Sequence, residues 1–263
     1  MGSVKEYLQC AVAEAKTLAF WRDALSEFVA TFMLMSVQSA LPLTWSVSMS
    51  SSIVQVGLGV GFIVATMAWA LGDFGGGHMN PAVSLSMALS FDISFLRAGV
   101  YIAVQTIGAI AGAGFIYAVT PPSKRGNLAA TELGEGVDGW QGMLVELWIT
   151  CILVLTIRGS TNKQRKGNIL MHTLPIGLAV ALGIMSGFGH TGGSMNPARS
   201  IGPAVVMGIW GDHWVYWVGP FLGGTLATLI YVLLLDKVDK DSTKSSAALA
   251  HKSRSRVGVE ESA

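Results

Sequence analysis

The 263-residue chain is predicted to be an all-α membrane protein, with six transmembrane helices plus two re-entrant half-helices in an inverted repeat. Three observations predict it. Hydrophobic residues make up 51% of the chain and charged residues only 13%, at a mean hydropathy of +0.54. Soluble domains carry roughly 25% charge, so a lipid-facing exterior accounts for the shortage. Six apolar windows stand near the length of about 20 residues that a bilayer core requires. Finally, the phrase GGHMNPAVS at 76–84 returns 116 residues later as GGSMNPARS at 192–200, with seven of nine letters unchanged. The two that change are His78, which becomes Ser194, and Val83, which becomes Arg199.

The windows are 24–42, 53–72, 98–118, 142–157, 173–189 and 214–235. The fourth is short, and Trp140 extends it at the interface. An even number of spans leaves both termini on one side. Fourteen of the seventeen basic residues fall in the tails and in the second and fourth connections, so the positive-inside rule makes that side cytoplasmic. The two connections that hold the repeated phrase, 73–97 and 190–213, are too apolar for solvated loops. In each, Asn-Pro-Ala is a helix start, with Asn80 or Asn196 at the N-cap, Pro81 or Pro197 at the first helical position, then Ala82 or Ala198. The run that follows suffices for half a span. Such re-entrant segments persist at membrane depth only when buried in protein or lining a water-filled cavity.

The duplication extends beyond the phrase. SEFVAT puts Glu27 and Thr31 in the first span, and VELWIT puts Glu146 and Thr150 in the fourth. Glu27 lies 53 residues before Asn80 and Glu146 lies 50 before Asn196, while Gly61 and Gly177 each precede their Asn by 19. Three full spans per half invert the second copy, which puts the functional site at the midplane between the halves. A carboxylate inside a span is costly unless paired, so Glu27 and Glu146 are read as structural supports satisfied by backbone N–H groups of the re-entrant loops. Gly108 with Gly112, and Gly219 with Gly223, read as close helix packing. The chain thus divides into an N-terminal tail (1–22), a channel-like domain (23–236, halves about 23–119 and 140–236) and a disordered cytoplasmic C-terminal tail (237–263) rich in Ser, Ala, Lys and Arg.

The doubled Asn-Pro-Ala, the paired glutamates and HWVYWVGP at 213–220 together resemble the aquaporin (major intrinsic protein) family over about residues 21–235. The wording around 204–220 is most similar to its water-selective branch. The resemblance implies a passive channel for water in the plasma membrane, with glycerol, urea and ammonia as further candidate permeants, and with protons and ions excluded. It also implies a homotetramer in which each chain holds its own pore. It implies no cofactor and no metal. A junctional or adhesive protein on the same fold is the alternative reading, since fold does not fix function. At each Asn-Pro-Ala the helix dipole presents about +0.5 charge to the centre. The amides of Asn80 and Asn196 can donate to a passing water, which interrupts a proton wire while the helix ends repel cations.

By resemblance, Arg199 belongs to the extracellular constriction, and the other filter positions carry over as Val60, Ile184 and Gly193. Here the chain departs from the water branch, which usually has an aromatic where Val60 stands and His where Ile184 stands. The predicted filter is therefore wider and less polar. Ser200 and Tyr216–Trp217 nonetheless match the water branch. Gly193 occupies the position of a mercury-sensitive cysteine in many members, so weak mercurial inhibition is expected. His78 is read as packing in its loop, and His190 as lying beside the outer vestibule, where it could respond to pH.

Other classes find little support. The net charge of +1 makes no electrostatic case for nucleic acid. No HExxH, GxSxG or Walker loop occurs, and the two cysteines, Cys10 and Cys151, frame neither a disulfide network nor a metal site. No cleavable signal or myristoylation pattern is read at the start.

Overall fold

Capping chemistry sets where the helices begin. In the computed structural model, which describes residues 4–45, 51–162 and 169–235, Thr17 caps α2 (Leu18–Ala40), its side chain accepting from Phe20 N. Ser52 caps α3 (Ile53–Gly75) in the same way through Gln55 N, and Ser94 caps α5 (Phe95–Val119) through Arg97 N. Asp138 and Gln141 form a capping box at the head of α6 (Gly139–Ser160), which therefore takes in Trp140. α7 covers Ile169–Thr191, and α9 covers Val215–Ile230 with a π-helical extension over Tyr231–Leu235. The half-helices α4 (Pro81–Leu89) and α8 (Pro197–Met207) have 9 and 11 residues. At about 1.5 Å per residue each reaches roughly half of a 30 Å hydrocarbon core.

α3, α5, α6, α7 and α9 are each long and apolar enough to cross a membrane. α2, also 23 residues long, completes the six, and its hydropathy is lowered by Arg22, Asp23, Glu27 and Gln38. Exposure is reversed from that of a soluble bundle. Trp69, Ile107, Phe115, Trp148, Leu222 and Leu229 face outward, whereas Glu27, Gln105, Glu146 and Thr150 are sealed inside. The protein is thus a multi-pass membrane bundle with its polar groups in the middle.

The packing repeats with the halves exchanged. α2 packs on α5 as α6 packs on α9, and the half-helices cross over, α4 against α9 and α8 against α5. α3 meets α7 at the axis, where Gly61 and Gly177 touch: a Cβ on either would stand 2.4 or 2.3 Å from the other's carbonyl oxygen. Gly108 and Gly112 lie against the α2 backbone at Phe28 and Phe32, and Gly219 and Gly223 against α6 at Met143 and Leu147. The GxxxG pairs therefore do serve close approach.

One segment differs from expectation. Residues 1–22 are not simply a tail, because Val4–Ala15 forms a further helix, α1. Its Tyr7, Ala11 and Glu14 face the bundle, with Tyr7 Oη accepting from Phe95 N at 2.8 Å and Glu14 bound to Arg97 at 2.7 Å. Too short and too polar to register as a span, it is held by tertiary contacts. The segment 237–263, including Ser253 and Ser255, lies outside the described residues.

Candidate functional site: a pore between the two half-helices

The two Asn-Pro-Ala loops hold each other. Asn80 Oδ1 accepts from Ala82 N at 2.8 Å, and Asn196 Oδ1 accepts from Ala198 N at 3.0 Å and Arg199 N at 3.2 Å. With its oxygen engaged by its own helix, each amide nitrogen points across the axis. Asn80 Nδ2 donates to Met195 O and Asn196 Nδ2 donates to Met79 O, both at 2.8 Å. The carbonyls reach that position because Met79 and Met195 adopt left-handed backbone, φ 51° and 56°. A side-chain amide carries two hydrogens. One on each Asn is used by this reciprocal pair, and the second remains for the channel.

The glutamates hold the same loops from behind. Glu27 accepts from His78 N and Met79 N, both at 2.7 Å, and from Gln105 Nε2 at 2.8 Å. Glu146 accepts from Thr191 Oγ1 at 2.6 Å, Ser194 N at 2.8 Å and Met195 N at 2.7 Å. Each carboxylate thereby satisfies the two N–H groups that precede an N-cap, and both residues are fully buried. The differing letters of the repeat are accommodated in one way. His78 Nδ1 sits 3.1 Å from Ser84 Oγ, and Ser194 Oγ sits 2.6 Å from Ser200 Oγ, so each pairs with the serine six residues on.

A cavity of about 280 Å³ runs past this junction. One mouth is bordered by Gly72, Thr161 and His172; Asn80 and Asn196 meet it midway; Val60, Ile184 and Arg199 stand at its far end. Val64, Val83, Leu153 and Val180 make most of the wall apolar. Beyond the far end a second space of about 220 Å³ opens among Val56, Asn127, Glu132, Phe188 and Gly192. Val83 and Arg199, the second difference within the repeat, both face the first cavity, one as an apolar wall and one as a cation.

The sequence matches the major intrinsic protein family model over residues 14–231. This chain belongs to the major intrinsic protein family. It is 40% identical to aquaporin-2 of Bos taurus over 236 residues, 90% of this chain and 87% of that one. Aquaporin-5 of Homo sapiens is 44% identical over 223 residues, 84% of each chain. Aquaporin-4 of Mus musculus is 42% identical over 232 residues, 86% of this chain and 71% of that one. An X-ray structure of the aquaglyceroporin from Plasmodium falciparum shares the fold, with a TM-score of 0.77 at 23% identity, covering 83% of this chain and 98% of that one.

Within this major intrinsic protein, three of the four filter positions read from sequence stand together at the cavity's end, namely Val60, Ile184 and Arg199. Gly193 lies between Gly192, which borders the outer space, and Ser194, which borders the first cavity. Its φ is +65°, and a Cβ there would stand 2.7 Å from Ile184 Cα, so the glycine is where the loop backbone presses against α7. His190 is exposed and is not among the residues around the outer space, where Phe188 stands instead.

Two further contributors lie outside the repeated phrase. Arg199 Nη1 donates to Ala129 O at 2.5 Å. That carbonyl is aimed by consecutive left-handed residues, Leu128 at φ 52° and Ala129 at φ 61°, with Ala129 N held by Asn127 Oδ1 at 3.1 Å. Thr131 Oγ1 then donates to Ser200 Oγ at 2.9 Å. The connection between α5 and α6 is thus folded down onto the second half-helix, and the Gly126–Asn127 turn is its only sequence signal. The other contributor is Gln38 of α2, which lines both spaces.

Proposed function

We infer that this chain is a passive channel for water, open also to small neutral solutes of the size of glycerol, urea or ammonia, and closed to protons and ions. The observation that carries the reading is the cavity itself. It passes between two half-helix N-termini that each present about half a positive charge, and it exposes one free amide hydrogen from Asn80 and one from Asn196. A water accepting from both donors turns its own hydrogens outward along the pore, and a proton cannot hop through that arrangement. Cations meet the two helix ends and then Arg199, which is 94% buried. An adhesive protein without conduction would leave this passage and its paired donors without a use.

Solute passage is supported by Val60 and Ile184, which bring aliphatic side chains to the end of the cavity. Each protomer of a homotetramer would conduct alone, because both half-helices come from one chain. Arg22, Arg97 and Arg158, near the ends of α2, α5 and α6 on one side of the bundle, support cytoplasmic termini. The test is swelling of proteoliposomes in sorbitol, glycerol and urea gradients. Wild type is expected to pass water with measurable glycerol or urea. Val60→Phe with Ile184→His is expected to abolish solute flux and keep water flux. Wild-type vesicles that exclude every solute would confine the channel to water.

A further inference from the structure

Three side chains line both the inner cavity and the outer space, Gln38, Ile184 and Arg199, and they therefore ring the neck where the two join. Ile184 is aliphatic and Arg199 can only donate. Gln38 is 3% exposed, yet its amide makes no hydrogen bond with another described residue. Neither of its polar atoms is among those sealed away without a partner, so the amide opens onto the passage. A primary amide in such a place is costly unless a mobile molecule completes its hydrogen bonds. Leu34, one turn earlier on α2, faces the same cavity, which fixes this side of the helix as pore wall.

The other two side chains of the neck offer no acceptor. Arg199 Nη1 is committed to Ala129 O, and Nε has no partner among the described residues. Of the side chains that ring the neck, Arg199 thus offers donors to a permeant's lone pairs, while Ile184 offers nothing to its hydrogens. We propose that Gln38 is a permeant-binding residue of the neck, its Oε1 accepting an O–H or N–H from the passing molecule while Arg199 donates to the same molecule's oxygen. The permeants favoured are those that both donate and accept, water and urea before a molecule without donors. This rests on the channel reading above and adds a recognition group from the first span.

The test uses the full chain in liposomes with protein content measured. In Gln38→Leu, water flux per molecule is expected to fall about tenfold, the factor that follows from one hydrogen bond lost at the narrowest point. Gln38→Asn, which keeps the amide, is expected to recover part of that loss. Gln38→Cys is expected to conduct and then to be blocked by a small methanethiosulfonate reagent, while wild type, with Cys10 and Cys151, is not blocked. Wild-type flux in Gln38→Leu overturns the proposal and leaves the channel standing. Should Gln38→Leu not insert, an unblocked Gln38→Cys overturns it. Wild-type liposomes that do not swell would remove the channel reading and this proposal together.

Discussion

Gly61→Ala tests the crossing on which the pore walls depend. The added Cβ would lie 2.4 Å from Gly177 O and 3.1 Å from Ala181 Cβ, where ordinary contact begins at 3.4 Å. The obstacle is backbone, so α3 and α7 must separate by about 1 Å or tilt. Overpacking of this kind costs about 1–3 kcal/mol, against which alanine recovers about 0.5–1 kcal/mol of helix propensity. The net is a destabilisation of up to about 2.5 kcal/mol. Gly114→Ala is the control, since its Cβ meets nothing within 4 Å and only the propensity gain remains. Function should respond as well, because Val60 adjoins Gly61 on α3 and Ile184 lies two turns beyond Gly177 on α7. Thermal unfolding followed by circular dichroism in detergent, with swelling of proteoliposomes, reads both effects. Gly61→Ala is expected to melt several degrees below Gly114→Ala and to show altered water and solute flux. Equal melting temperatures and equal fluxes for the two variants would refute the close crossing.

Glu146→Gln should lower both melting temperature and water flux, because an amide cannot accept from Ser194 N, Met195 N and Thr191 Oγ1 together. One donor left unmet in the interior costs about 1–3 kcal/mol, and a variant with unchanged melting and flux would show that the loop does not lean on the carboxylate. Wild type should be weakly inhibited by mercurials. Gly193→Cys should confer mercurial inhibition at a cost in stability, since its Cβ meets Ile184 Cα from a left-handed backbone; a variant that conducts and stays insensitive would place residue 193 away from the passage.

Sequence alone was sufficient for whatever is written in local chemistry or in symmetry. Asn suits an N-cap and Pro the first helical position, so with an apolar run behind them both half-helices were legible, and Pro81–Leu89 and Pro197–Met207 begin where the motif says. Equal spacings to Gly61 and Gly177 pointed to equivalent places in two halves, though that the two meet at the axis was decided by the packing of α3 on α7. Spans were legible because lipid demands long apolar runs, though α1 escaped notice: its Tyr7 and Glu14 contacts are made with α5, about 80 residues away in the chain.

The pore wall was a different matter. Gln38 sits in a helix whose apolar and polar residues fit several rotations, and only packing against α3, α5 and α8 turns it toward the passage. Gly193 read as a filter position because its offset from Asn196 was right. Its left-handed backbone and the nearness of Ile184 were not legible, because the fold of the loop against α7 sets them. The carbonyl of Ala129 reaches Arg199 across 70 residues, through two left-handed residues that carry no glycine to announce them. Caps and hydrophobic runs act between neighbours in the chain and so can be read from it. A channel's lining is assembled from segments far apart in sequence, and which atoms face it is settled only when the helices have packed.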